Sequence, residues 1–116
     1  MGRVYTREEM LVEAGAAVAR LGESSSRGDQ RRYSDDELFR FALAYLWLRL
    51  AEPICQLVTR RLVGDEAIHT WEGMCPVRNA LAHDREEDID YLRLWSTLPT
   101  TLAVTSAQVD RLLAAN

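Results

Sequence analysis

The chain has 116 residues, 47% of them apolar, with three prolines and six glycines, so it is long enough to bury a core without staples and too apolar to be disordered. Its net charge of −4 and pI near 5.2 argue against a broad electrostatic footprint for duplex nucleic acid and leave room only for a local basic cleft. Cys55 and Cys75 have no CxxC or CxxH spacing and the two histidines are far apart, so neither zinc nor a disulfide framework is suggested, and reduced, packed thiols are expected.

In chain order, MGRVYTREEM has no apolar h-region of a signal peptide. Thr6 and Glu9 form a capping box, after which Leu11, Ala14, Val18 and Leu21 recur at helical spacing, predicting a first helix that ends near Gly22. ESSSRGDQRRY is polar and aperiodic and reads as a loop; its Arg27, Arg31 and Arg32 are read as solvated, with contact to phosphate as the functional alternative.

Ser34 and Glu37 suggest a second capping box, opening the longest helix. Leu38, Phe41, Tyr45 and Leu48 line one side of it and Leu43, Leu46, Trp47 and Leu50 the other. A helix apolar on two sides must be covered twice, by the bundle and by another subunit. Pro53 should kink it near Arg49, and it should run to about Leu62 and stop at Gly64. The run FALAYLWLRLAEPICQLV is interrupted by Arg49, Glu52 and Pro53, short of the roughly 20 apolar residues of a membrane span, so a cytoplasmic location without a membrane partner is expected.

Thr70 is positioned to cap a third helix from Trp71 to about His83, bent by Pro76. REEDID is a charged connector, a fourth helix starts near Asp88, and Leu98-Pro99 should break it before helical spacing resumes at Leu102, Val109, Leu112 and Leu113. No strand-like alternation occurs. The expected fold is all-α, a four- to five-helix up-down bundle forming one domain over residues 1–116. Trp47, Trp71 and Trp95 read as core and interface anchors, and His69 as a surface residue.

The chemistry concentrates in RNALAHD. Asn79 and His83 lie four apart on one helix face, and Arg78 lies about 140° round the axis from His83 with a side chain long enough to cover much of that gap. Together they offer an imidazole, a permanent cation and an orienting amide. Cleavage of an RNA phosphodiester needs those groups: a base for the 2′-hydroxyl, an acid for the leaving oxygen, and positive charge for the phosphoryl oxygens, without a metal or cofactor. One set is thin, but a self-complementary dimer would bring two to one cleft. Glu52, beside Pro53 in an apolar helix, should be partly buried and paired to a cation, Arg78 or Arg49, as an orienting salt bridge.

Residues 78 to 83 match the Arg-x4-His motif of the HEPN superfamily, with a polar residue after the arginine. The surroundings resemble its HepT-like branch: WEGMCPVRNALAH, then an acidic stretch, then DIDYLRLWSTLPTTL with Trp95 and Leu98-Pro99. The resemblance spans most of the chain, and residues 71 to 99 carry its specific matches. It implies a dimeric, HEPN-like helical bundle with Arg78 and His83 at the interface cleft, acting as a metal-independent endoribonuclease toxin of a type VII-like toxin–antitoxin pair. The implied partners are a second copy, an RNA substrate and an MntA-type nucleotidyltransferase antitoxin. The alternative is a non-catalytic HEPN subunit that docks on a nucleotidyltransferase or binds nucleotide.

The chain departs from the family pattern after the histidine. Where the family has its adenylylated tyrosine two residues on, this sequence has Arg85, and Tyr91 is the nearest tyrosine. Asp84 keeps three readings open: it can favour the charged imidazole, cap the helix end poorly, or pair, as Arg85 can, with a partner subunit.

Overall fold

A computed structural model describes residues 4–115; residues 1–3 and 116, the two ends of the expected domain, lie outside the described residues. These residues form six α-helices and one 3-10 turn, with no strand among them: α1 (Arg7–Ser25), α2 (Gln30–Asp35), α3 (Glu37–Thr59), α4 (Asp65–Trp71), α5 (Met74–His83), the turn Glu86–Asp88, and α6 (Tyr91–Ala114). The all-α bundle expected from periodicity is present, with two short helices added.

Helix α1 opens on the expected capping box: the Thr6 hydroxyl accepts from the Glu9 amide at 3.2 Å and the Glu9 carboxylate from the Thr6 amide at 3.0 Å. It buries Met10, Leu11, Ala14, Ala17 and Leu21 and runs past Gly22, which rests against Leu102. The supposed loop after it contains α2, and this displaces the predicted start of α3. Ser34 lies inside α2; Asp36 is the N-cap of α3, accepting from the Phe39 amide at 3.2 Å. Gly28, just before α2, is demanded by packing, because a Cβ there would come within 2.7 Å of the Phe39 ring.

Of the two apolar sides of α3, Leu43, Leu46, Trp47 and Leu50 are buried, whereas Leu38 is 82% and Tyr45 57% exposed. Among the described residues α3 is the one helix long and apolar enough to cross a membrane, and 44% of its most apolar window is buried in the fold. It remains one helix through Pro53 and ends at Thr59, earlier than expected. The stop is a Schellman turn, with the Leu62 amide donating to the Leu57 carbonyl at 2.9 Å and Arg61 in the left-handed region at φ 53°. Gly64 instead caps the N-terminus of α4.

The third helix expected from Trp71 to His83 begins three residues later, at Met74, and a separate helix, α4, ends at Trp71. Thr70 sits within α4, its hydroxyl donating to the Glu66 carbonyl at 2.9 Å, and the chain turns at Glu72-Gly73. Pro76 therefore falls in the first turn of α5, where its missing N–H has little to lose. Pro99, expected to break the last helix, is carried inside a continuous α6, because Leu94 and Leu98 before it and Thr105, Gln108 and Val109 after it are all buried. Tertiary packing on both flanks offsets the lost hydrogen bond.

The four longer helices alternate in direction. Glu13 meets Arg49 and Tyr5 meets Arg60, so α1 and α3 are antiparallel. Glu52 meets Arg78 and Cys55 meets Cys75, so α5 runs against α3. Gly15 lies on Val109 and Gly22 on Leu102, which sets α6 against α1. Trp47 and Trp71 are core residues, Trp95 stacks on Tyr33 with ring centroids 4.9 Å apart, and the buried Trp71 Nε1 meets no acceptor among the described residues.

Candidate functional site

Helix α5 is short, and its inner side is modest: Met74 is buried, with Val77 and Leu81 partly buried against the core. That inner side fixes which residues face outward. Arg78 projects beside α3, where its Nε donates to Glu52 Oε1 at 3.0 Å. Its Nη1 donates to Asn79 Oδ1, also at 3.0 Å. Two acceptors thus hold one planar guanidinium, which restricts its rotamers far more than a single point contact would.

Glu52 is half-buried and takes Arg78, while Arg49, the other arginine considered for it, pairs with Glu13 at 3.2 Å. The amide of Asn79 serves the arginine in this geometry. His83 closes the last turn of α5, exposed, with no hydrogen bond or ion pair among the described residues. Its imidazole is free to meet a proton donor or acceptor from outside the chain.

Asp84 terminates α5, donating its amide to the Ala80 carbonyl at 2.9 Å, and its side chain is exposed. Arg85 is occupied within the same chain, with Asp88 at 3.3 Å and Glu87 at 3.5 Å. Tyr91 lies at the start of α6, not on α5. Its phenol is pushed up by burial and then by the negative charge of Glu86, and its ring tilts against Phe41. His69, as expected, is on the surface, 3.8 Å from Glu72.

The Arg27, Arg31 and Arg32 cluster is neutralised locally, by Glu23 at 2.8 Å, Asp35 at 3.8 Å and Asp36 at 3.5 Å, and Arg32 also covers the Phe39 ring. Among the described residues, no group of three or more His, Cys, Asp and Glu side chains is placed to hold a metal ion.

A cleft of about 680 Å3 between the start of α1 and the outer side of α3 reaches this site. Tyr5, Tyr45, Leu48, Arg49 and Arg60 line it, and so does Glu52, the residue that holds Arg78. The exposed side of α3 thus shares Glu52 with the arginine of the motif.

One covalent feature has no signature in the sequence. Cys55 and Cys75 are a disulfide, not reduced thiols, with Cα atoms 4.9 Å apart. Their separation of 20 residues carries no recognisable spacing; only the antiparallel packing of α3 on α5 brings them within bonding geometry. No family model, no curated protein and no solved structure matches the chain.

Proposed function

We propose that the chain belongs to the class of helical, self-associating ribonucleases that cut RNA without a metal, using arginine and histidine from a single short helix. Within that class, its motif order and landmarks fit the HepT-like branch of the HEPN superfamily, a toxin neutralised by a nucleotidyltransferase antitoxin. One observation carries the reading: Arg78 is held by Glu52 and Asn79 while His83, on the same ten-residue helix, is exposed and unpaired. An arginine fixed in orientation and a free imidazole on one short helix supply the cation and the proton-transfer group that phosphodiester cleavage uses.

The dimer is supported by the uncovered side of α3, where Leu38 and Tyr45 are exposed in line with Glu52. In a two-fold pair, one His83 takes the proton of the 2′-hydroxyl as its oxygen attacks phosphorus. The other protonates the departing 5′-oxygen, and the two Arg78 side chains stabilise the charge growing on the phosphoryl oxygens. Arg85 in place of the family tyrosine leaves neutralisation to contact or to another acceptor.

The test is cleavage of single-stranded and transfer RNA by the purified chain, free of any antitoxin. His83→Ala and Arg78→Ala should each lower the rate by about 10²-fold or more while helical content is unchanged. RNA left intact by wild type and variants alike would instead favour the non-catalytic docking or nucleotide-binding subunit, for which the net charge of −4 and Arg85 are the motivating features.

A further inference from the structure

Cys55 stands three residues after Glu52 on α3, and Cys75 three residues before Arg78 on α5. The disulfide therefore lies about one turn from the Glu52–Arg78 ion pair, along the same antiparallel seam. Beyond the disulfide, α5 is held by Met74 and by the partly buried Val77 and Leu81. Met74 is its one buried residue, and it packs chiefly against α3. An open groove of about 360 Å3, between Pro76, Val77 and Leu81 on one wall and Ile89, Leu94 and Thr97 on the other, separates it from the start of α6. The ion pair is too exposed, at 32% and 40% for its two side chains, to anchor the helix alone. Both cysteines are half-buried, neither sealed in the core.

We infer that Cys55–Cys75 is a thiol–disulfide switch on the Arg78 and His83 site. Oxidised, it clamps the first turn of α5 to α3 and keeps Arg78 on Glu52; reduced, it releases α5 into the open groove and the arginine loses its seat. The inference rests on the ribonuclease reading for what the seated site does, not for the movement of α5.

The reductant is a dithiol. One of its thiolates attacks a cysteine sulfur, the S–S bond breaks and a mixed disulfide forms. The second thiolate then displaces the remaining cysteine. Two electrons and two protons end on Cys55 and Cys75, and the dithiol leaves as its own disulfide. Exchange with an oxidised dithiol reverses each step.

The experiment compares the oxidised full chain, the same chain reduced with dithiothreitol, and Cys55→Ser/Cys75→Ser. Three quantities are followed: amide hydrogen exchange along 77–83, the Arg78 Nε–H nuclear magnetic resonance signal, and RNA cleavage. Reduction and the double variant should each speed exchange in α5 by about tenfold or more, leave the buried turns of α1 and α3 within about twofold, and weaken the Arg78 signal. Cleavage should fall by a comparable factor. Unchanged exchange in α5, or a loosened α5 in a chain that cuts RNA equally well or better when reduced, would overturn the switch. If neither form cuts RNA while α5 and Arg78 respond as described, the switch stands and the ribonuclease reading falls. Reduced wild type carries the test should the double variant not fold.

Discussion

Tyr33 buries its ring almost completely, 2% exposed, and its hydroxyl donates to the Tyr91 carbonyl at 2.8 Å. Burial, followed by the nearby Tyr91 phenol, pushes its pKa from 10.0 to about 12. A folded value above the unfolded one means that folding favours the neutral phenol. The associated stability is complete below pH 10 and disappears as pH rises through about 12. Tyr33→Phe should therefore cost about 1 kcal/mol at neutral pH and flatten the alkaline limb, as read from urea melts at neutral and alkaline pH. At this scale much of the candidate site was legible. Glu52 announced a cationic partner because a carboxylate in an apolar helix needs one, but choosing Arg78 over Arg49 required knowing which helix lies on each side of α3. Asn79 was legible as an orienter, while its service to the arginine depended on the rotamer that Glu52 imposes.

At the level of elements, capping residues marked helix starts and two of them misled. Ser34 and Thr70 are good cap types, yet Asp36 and a glycine turn hold those positions, because local hydrogen-bonding preference is worth about 1 kcal/mol and is readily overridden by packing. The end of α3 shows the same conflict from the other side, with Arg61 accepting a left-handed backbone so that Leu62 can turn back toward Leu57. Relieving it is the prediction: Arg61→Gly should raise stability by up to about 1 kcal/mol, seen as a higher denaturation midpoint with an unchanged slope. The disulfide between α3 and α5 closes a loop of 20-residue separation, for which chain entropy suggests about 3 kcal/mol of stabilisation.

For the whole molecule, the exposed side of α3 matters most. Leu38 and Tyr45 of α3 are apolar side chains that a single chain leaves exposed, as is Val12 of α1 at 60%. Leu38→Glu with Tyr45→Glu should leave the helical spectrum unchanged, because both side chains already face solvent in one chain. If this side seats a second copy, the pair should shift the sedimentation profile to monomer, since each side chain stands to bury roughly 1.5–3 kcal/mol of apolar surface. RNA cleavage should fall with it. A dimer that persists would move the interface elsewhere on the bundle.

Composition and period alone determined that this chain is helical, that Leu43, Leu46, Trp47 and Leu50 form one core side of α3, and that Arg78, Asn79 and His83 share a short helix. Those properties depend on neighbours within a few turns, which a sequence displays directly. Pairing Glu52 with Arg78 and joining Cys55 to Cys75 were decided only in tertiary structure, as was carrying Pro99 through a continuous α6. Each depends on which helix packs on which and in what register, set by the burial of the entire core and not by any local stretch.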